Sequence, residues 1–313
     1  MAEWLYEAGI GEARAALVEE GRIVAAAIEP EGTLTVGTVA AGRLVERLPR
    51  GGGRGAIDSG EVTLSHLPSG LTQGARLTVA IVREAIPERG RPKPPRAVTS
   101  DLPPAPGPDL LARCTATGLP VRQARAHERD RLEEAGWSEL LDEATHGDIG
   151  FAGGQLRMSV TPAMTLFDVD GHLDPEPLAL AAAAAVGTAI GRHGIGGSIG
   201  IDFPTLANKA ARQAVAAALD AALPSPFERT AVNGFGFLQI VRPRPRASLP
   251  EQLLADPVRA AATALLRRLE REPPGAPASH AAPAAVVRFL DARPAWRAEL
   301  ARRSGVVHRL EPR

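Results

Sequence analysis

Hydrophobic and polar residues alternate along the first quarter of the chain, in the two-residue period that is typical of β-strands. Residues 3–29 predict two strands that meet in a hairpin at Glu19-Glu20-Gly21. Several short β segments follow within residues 33–85 and are separated by clusters of glycine. Short, evenly spaced strands with glycine turns favour a small barrel, and an OB-type fold is the leading candidate. Residues 86–108 are rich in proline and arginine and predict a loop or linker.

The second half of the chain changes to strands that alternate with helices. Charged residues at helical spacing over 121–145 predict one or two helices before this change. The pattern then predicts two strands joined at Thr161-Pro162, a helix from Pro175 to Ile190, a strand over 196–203, a helix over 206–222 and a strand over 234–241. This alternation indicates an α/β unit with a mixed sheet. Helices over 249–272 and 283–304 are predicted to complete the chain.

Together these patterns predict a multidomain protein of the α+β or α/β class. The predicted segments are an N-terminal hairpin at 1–32, an OB-type barrel at 33–100, a linker with a helical segment at 101–147, a mixed-sheet α/β domain at 148–248 and a helical C-terminal extension at 249–313.

Composition narrows the class of protein. Hydrophobic residues make up 44% of the chain and charged residues 23%, which is enough for a packed core and argues against wholesale disorder. The single cysteine, Cys114, excludes a disulfide framework and any zinc site built on several thiolates. The first residues carry no basic stretch followed by an apolar run, and no segment reaches the roughly 18 apolar residues that a membrane span needs. We therefore expect a cytoplasmic protein that is not embedded in a membrane.

The charges are unevenly distributed, although the formal net charge is zero. Residues 242–313 contain 14 arginines and 7 acidic residues, whereas residues 101–203 contain 7 arginines and 15 acidic residues. A basic end beside an acidic centre suits an enzyme that binds phosphates in one place and cations in another. Ordinary solvated faces would give the same distribution, so charge alone leaves both interpretations open.

Two aspartates carry the most specific chemical prediction. Asp168 and Asp202 each follow an apolar run and are expected to end neighbouring parallel strands, because a helix separates the two runs. Both carboxylates would then lie at the carboxyl edge of the sheet, where open α/β sheets bind ligands. Two adjacent carboxylates repel each other unless a cation neutralises them, and Mg²⁺ accepts such ligands while it keeps several waters. The alternative is that Asp168 and Asp170-Gly171 simply form a turn.

Three ordered blocks of sequence resemble the ribonuclease E/G family. They are GGQLRMSVTPAMTLFDVDG at 153–171, GIGGSIGIDF at 194–203 and NGFGFLQIVRPR at 233–244. The N-terminal half resembles the opening hairpin and OB-type RNA-binding barrel of that family more loosely, and residues 101–147 resemble it poorly. The similarity implies a Mg²⁺-dependent nuclease domain at 148–248 that cleaves single-stranded RNA in RNA processing or decay.

The resemblance assigns roles to individual residues. It implies that Asp168 and Asp202 are the Mg²⁺ ligands. Asp170 stands where the family has an asparagine, and would orient Asp168 or serve as a third catalytic carboxylate. Arg242 and Arg244 correspond to a basic pair that would donate to phosphates, although a surface pair in an Arg-Pro-Arg-Pro-Arg loop is the alternative.

Several positions depart from the family pattern. The aromatic residues that stack on RNA bases are missing, since Ala56 stands where a phenylalanine is expected, so the barrel would depend on arginines and Lys93 for its grip. The pocket that reads a 5′-monophosphate has its nearest counterpart in Arg113 and Thr115. A Cys-x-x-Cys pair is absent, which implies that the zinc-linked dimer of the family does not form.

Three classes of function follow from the sequence. The first is an endoribonuclease, the second is a catalytically weakened RNA-binding or regulatory protein of the same family, and the third, which the residues favour least, is a metal-dependent hydrolase that acts on another phosphoester. The missing aromatics favour the second, whereas the two retained aspartates favour the first. The sequence determines neither the RNA target nor the oligomeric state.

Overall fold

The computed structural model describes residues 1–88, 92–273 and 275–313. The chain divides into two compact units, and each is assembled from separate stretches of sequence. The first unit comprises Met1–Gly32, Leu110–Trp137 and Leu253–Arg313, and the second comprises Thr33–Asp109 and Ser138–Gln252.

Strands and helices are interleaved along the whole described chain. The strands are β1 (Glu3–Ala8), β2 (Glu12–Glu19), β3 (Arg22–Pro30), β4 (Val39–Arg47), β5 (Gly53–Ile57), β6 (Gly60–Leu64), β7 (Arg76–Arg83), β8 (Arg96–Thr99), β9 (Val121–Gln123), β10 (Asp148–Phe151), β11 (Gly154–Val160), β12 (Thr165–Gly171), β13 (Gly197–Asp202), β14 (Glu228–Arg229), β15 (Phe237–Arg242), β16 (Ser279–Ala282) and β17 (Arg309–Pro312). The helices are α1 (Leu110–Thr115), α2 (Arg131–Glu134), α3 (Trp137–His146), α4 (Pro175–Arg192), α5 (Lys209–Ala222), α6 (Leu249–Ala255), α7 (Pro257–Glu270), α8 (Ala284–Asp291) and α9 (Pro294–Ser304), with a short 3₁₀ helix at Pro49–Gly51. Among the helices that the structure describes, none has the length and apolar character needed to cross a bilayer.

The N-terminal sheet of the first unit has the order β3-β2-β1-β9. The predicted turn is confirmed, because β2 and β3 pair from Glu19↔Arg22 onward and the two turn residues, Glu20 and Gly21, have positive φ angles. The prediction of two strands is wrong, since β1 precedes them as a third strand. The chain reverses between β1 and β2 at Gly11, where a Cβ atom would lie 2.4 Å from the Trp296 ring.

A closed five-stranded barrel occupies the place where the barrel was predicted. Its order is β4-β5-β6-β8-β7, and its interior is filled by buried apolar residues that include Leu44, Val62 and Ile81. Strand β8 lies in the segment predicted as loop or linker, so that prediction is wrong over Arg96–Thr99. The strand forms because β6 and β7 supply hydrogen-bonding partners on either side, which local composition does not reveal.

The larger sheet of the second unit has six strands in the order β10-β11-β12-β13-β15-β14. Strands β12 and β13 pair in parallel and the other neighbours pair antiparallel, which confirms the prediction of a mixed sheet. Helices α4 and α5 form the predicted helical elements on either side of β13 and pack into the same apolar core as the buried strand residues. Strand β10 and the two-stranded parallel sheet of β16 and β17 were not predicted.

A network of buried charges joins the three stretches of the first unit. The Glu7 carboxylate accepts hydrogen bonds from Arg14 at 2.6 Å, Arg267 at 3.0 Å and Arg271 at 2.7 Å. Arg267 also donates to Asp130 at 2.7 Å. Glu7 and Arg14 are only 6% and 2% exposed, so the charges lie away from solvent and depend on one another for compensation.

The arginines determine the ionisation of the central carboxyl group. Burial by itself would raise the pKa of Glu7, but Arg14, Arg267 and Arg271 outweigh burial and the net pKa is lowered from its ordinary value of 4.5. A carboxyl group with a lowered folded-state pKa stabilises the fold above its ordinary pKa, and this contribution is lost as the pH falls through the folded-state value.

We expect Glu7→Gln to reduce the free energy of unfolding by about 3–5 kcal/mol at neutral pH, because three guanidinium groups lose their shared counter-charge. The wild-type protein should also lose stability below pH 4.5 more steeply than the variant does. Urea unfolding at several pH values measures both effects. Glu134→Gln is the control, since Glu134 pairs with the largely exposed Arg129 and should change stability by less than about 1 kcal/mol. Equal losses in the two variants would contradict the importance of the buried network.

Candidate metal centre on the open face of the sheet

The two predicted ligands lie side by side in the larger sheet. Strands β12 and β13 are adjacent and parallel, and their register pairs Asp168 directly with Asp202. Their predicted juxtaposition is therefore confirmed. Asp202 ends its strand as expected, whereas Asp168 does not, because β12 continues to Gly171 through its pairing with β11.

Both carboxylates point away from the helical layer. Along β12, Phe167 and Val169 are buried in the core while Asp168 is exposed, and along β13 the buried Ile201 precedes the exposed Asp202. Successive side chains of a strand point to opposite faces, so the aspartates share the face that α4 and α5 do not cover. Burial of the neighbouring Phe167, Val169 and Ile201 thus directs Asp168 and Asp202 to the opposite face of the sheet.

This register is compatible with a divalent cation that binds oxygen ligands. Neighbouring strands lie about 4.8 Å apart. Mg²⁺ binds oxygen at about 2.0–2.1 Å, so two of its ligand oxygens lie no more than about 4.2 Å apart. Side chains in register on neighbouring strands can reach that spacing. Within the described part of the chain, Asp168 and Asp202 have neither a hydrogen bond nor an ion pair, and so their oxygens are free to accept a cation.

The sheet register shows which residues flank the aspartate pair on the neighbouring strands. The register places Asp148 beside Arg157, Arg157 beside Asp168, and Phe237 beside Asp202. The Nε atom of Arg157 lies 3.7 Å from the Asp148 carboxylate, in a largely exposed ion pair. A cationic side chain therefore lies next to the aspartate pair in the sheet register.

Asp170, the third predicted catalytic carboxylate, is exposed on the same face but lies one step further along β12, beside Gln155. Residues two apart on a strand are separated by about 6.6 Å. Among the described residues, Asp168, Asp170 and Asp202 do not form a group whose ligand atoms all lie within 4.8 Å. This placement suits a role next to the pair better than a place in a compact three-carboxylate centre.

Arg242, predicted to bind phosphate, lies at the far end of the sheet from the aspartates. It pairs in register with Gly197, at the start of β13, whereas Asp202 ends that strand. Its guanidinium donates to the carbonyl oxygens of Ile195 at 3.4 Å and Pro224 at 3.3 Å, and burial lowers its pKa. The structure does not bring Arg242 to the aspartate pair, because its strand runs antiparallel to β13.

Arg244 and Lys93 are held in ion pairs inside the second unit. Both contact the Glu88 carboxylate, with Arg244 at 3.5 Å, and Arg244 also pairs with Glu251. The neighbouring Arg246 lies 3.5 Å from Glu84. These contacts connect the segment after β15 to the end of β7, so the basic run joins the barrel to the sheet. Arg244, predicted to bind phosphate, therefore bridges two segments that are distant in sequence.

Arg113, the remaining predicted RNA-binding residue, lies in the first unit. Its guanidinium donates to the Glu29 carboxylate at 2.5 Å. The backbone N–H of Leu110 donates to the other oxygen of the same carboxylate at 3.2 Å. Arg113 therefore ties α1 to β3 through Glu29.

Phe235 is a potential ligand contact that the sequence analysis did not single out. It is 85% exposed, and it lies two residues before Phe237, the register partner of Asp202. The Asn233 side chain fixes this loop by accepting from the N–H groups of Phe235 at 2.9 Å and Phe237 at 3.0 Å. Gly236 has a φ of +97°, and a Cβ atom there would lie 2.1 Å from the Phe203 carbonyl oxygen, so the loop requires glycine. In the sequence, the only signal that Phe235 is exposed is its position between Gly234 and Gly236, which are typical of a loop.

A second group of possible metal ligands lies in the first unit. Among the described residues, Glu272, His280 and His308 form one cluster of three potential ligands, and their ligand atoms all lie within 4.8 Å of one another. Burial, with repulsion from His280, lowers the pKa of His308 despite the opposing effect of Glu272. No sequence pattern predicted this cluster, because its histidines are widely separated along the chain.

Searches against models of protein families and against curated proteins found no match to this chain.

We expect Arg244→Gln to reduce the free energy of unfolding by about 1–3 kcal/mol, because the largely buried Glu251 would lose its counter-charge. Chemical unfolding measures the change. Arg54→Gln, which breaks a half-exposed pair with Glu46 in the same unit, should cost less than about 1 kcal/mol. A change in RNA affinity without a change in stability would restore the phosphate-binding interpretation of Arg244.

Proposed function

We propose that the protein is a Mg²⁺-dependent endoribonuclease that hydrolyses phosphodiester bonds of single-stranded RNA. The observation that carries the proposal is the register pairing of Asp168 with Asp202 on the open sheet face, where neither carboxylate has another partner in the described chain. The resemblance of the three surrounding blocks to the ribonuclease E/G family supports RNA as the substrate. We propose RNA processing or decay in the cytoplasm as its setting.

The residues around the pair have complementary roles in this proposal. Asp168 and Asp202 hold the cation between neighbouring strands, and the buried Phe167 and Ile201 keep both carboxylates on the same face. Bound Mg²⁺ would supply a Lewis acid that lowers the pKa of a coordinated water and offsets charge on the phosphate. Arg157, beside Asp168 in the register, supplies positive charge on the side of the phosphate group.

RNA would contact the protein outside the metal centre through stacking and charge. Phe235 presents an exposed ring at the edge where β13 ends, in a position suited to stacking on a base near the scissile bond. The barrel supports an OB-type assignment, since its third and fifth strands, β6 and β8, pair in parallel and close the barrel. None of the five barrel strands contains an aromatic residue, so its grip on RNA would be electrostatic.

One observation favours the second candidate function, a weakened RNA-binding or regulatory protein. Arg242, Arg244 and Lys93 are engaged in internal contacts, so three of the predicted phosphate ligands have other partners. Arginine and lysine side chains that are engaged internally would not contact RNA phosphates. Substrate binding would then be weaker, although the metal ligands remain. Binding of single-stranded RNA without Mg²⁺-dependent cleavage would identify this second function.

We expect the purified protein to cleave an adenine- and uridine-rich oligonucleotide in Mg²⁺ or Mn²⁺ but not in EDTA. Asp202→Asn should reduce the cleavage rate at least about a hundredfold, because metal stabilisation is worth several kcal/mol. Asp142→Asn is the control, since Asp142 is an exposed acidic residue of the same unit that lies on α3 and outside the sheet. Cleavage that survives Asp202→Asn, or that Asp142→Asn abolishes equally, would exclude the proposed centre.

We expect Phe235→Ala to weaken binding of single-stranded RNA by about 1–3 kcal/mol for each base that it stacks. Phe235→Tyr keeps an aromatic ring and should retain most of the affinity. Val241→Ala, at an exposed apolar position on β15, should have no effect. Fluorescence anisotropy with Asp202→Asn as the background measures binding without cleavage. Equal affinities of the alanine and tyrosine variants would show that the ring does not stack.

A further inference from the structure

Three potential metal ligands from separate segments converge in the first unit. Glu272 follows the end of α7, His280 lies on β16, and His308 directly precedes β17. The parallel pairing of Ser279 with Arg309 brings the two histidine-bearing segments together, although they lie far apart along the chain. One ligand atom from each of the three side chains lies within 4.8 Å of the other two.

The distances are close to those of a tetrahedral site. The His280 Nε2 atom lies 3.0 Å from His308 Nδ1 and 3.5 Å from Glu272 Oε2. Zinc binds imidazole nitrogen and carboxylate oxygen at about 2.0–2.2 Å, so neighbouring ligand atoms around it lie about 3.3–3.5 Å apart. The observed distances bracket this value, and small movements of the side chains would admit an ion.

Hydrogen bonding alone does not satisfy this cluster. His280 Nε2 faces both a ring nitrogen and a carboxylate oxygen, and a single N–H group can donate well to only one of them. The Glu272 Oε2 atom is buried and has no hydrogen-bond partner, and the same holds for His308 Nε2. Buried polar atoms without partners are uncommon and often mark an ion or water. A cation bound by His280 Nε2, His308 Nδ1 and Glu272 Oε2 would give the buried carboxylate oxygen a partner and end the competition for one N–H group, whereas His308 Nε2, on the other side of its ring, would lie outside the site.

The three side chains are largely shielded from solvent. His308 is 7% exposed, and the side chains of His280 and Glu272 are 10% and 22% exposed. Leu269 and Ala282, which lie three residues before Glu272 and two residues after His280 along the chain, are buried in the core of this unit. The Glu272 side chain keeps partial contact with solvent, from which an ion and a water as the fourth ligand would reach the cluster.

We propose that Glu272, His280 and His308 form a zinc site that clamps the end of α7 to the small parallel sheet. Two imidazoles and a carboxylate favour zinc over Mg²⁺, which prefers oxygen ligands alone. The site is separate from the proposed Mg²⁺ centre and does not depend on nuclease activity. Because the ion would bind the folded arrangement of three segments, its binding stabilises the fold.

The test is zinc titration of the full chain after dialysis against EDTA, with Asp202→Asn as the background to weaken binding at the other centre. Calorimetry should show one equivalent of Zn²⁺, and the thermal unfolding midpoint should rise with zinc concentration until the site is saturated. His280→Ala should abolish both effects, and Glu272→Gln should weaken binding about tenfold or more. His146→Ala is the control, since His146 is exposed beside the Asp142 carboxylate and should leave the titration unchanged.

Zinc uptake that persists unchanged in His280→Ala and Glu272→Gln would overturn the proposal. So would the absence of zinc uptake in a protein that circular dichroism shows to be folded, since the histidines would then form only a hydrogen-bonded pair. If His280→Ala does not fold, Glu272→Gln decides the question, because it preserves the size of the side chain and removes only its charge. Unaltered affinity in that variant would exclude Glu272 as a ligand and the three-ligand site with it.

Discussion

The parallel pairing of β12 with β13 is the constraint on which the candidate centre depends. The pairing aligns Phe167 with Ile201 on the buried face and Asp168 with Asp202 on the open face. A shift of one residue would turn one aspartate towards the core, where an unpaired charge is costly, and would expose an apolar side chain in exchange. Burial of the apolar residues therefore maintains the position of the acidic ones, and the packing of α4 and α5 contributes indirectly to the chemistry of the site.

Arginine has a largely structural role in this protein. Arg14, Arg267 and Arg271 surround Glu7 in the first unit, while Arg244 contacts Glu88 and Glu251 in the second. A buried guanidinium group can satisfy several acceptors at once, which makes arginine suited to joining segments that are distant in sequence. A basic stretch such as 242–246 can thus arise from internal pairing, and its charge does not by itself indicate a nucleic-acid surface. The exposed face near Asp202 instead offers an aromatic ring, Phe235, and a cation, Arg157, in register with Asp168.

The two candidate metal centres arise from different features of the fold. The aspartate pair lies in regular sheet structure, where strand register sets the spacing of the ligands. In the cluster of Glu272, His280 and His308, only His280 lies within a strand, and the pairing of β16 with β17 brings the histidines together. The first centre provides only oxygen ligands on an open surface, as a catalytic Mg²⁺ requires. The second provides nitrogen and oxygen ligands beside a core, as a stabilising zinc requires.

The sequence by itself determined the features that depend on neighbouring residues. Alternation and turn residues located the hairpin of β2 and β3, the strands that carry Asp168 and Asp202, and the helices between and after them. It could not identify β8, whose pairing partners come from elsewhere in the barrel, or the partners of Arg242 and Arg244, which are carbonyl and carboxylate groups distant in the chain. The convergence of His280 with His308 was likewise decided only in three dimensions. Local pattern reflects the backbone conformation and the buried face of each segment, whereas ion pairs and ligand clusters depend on which segments meet after the chain has folded.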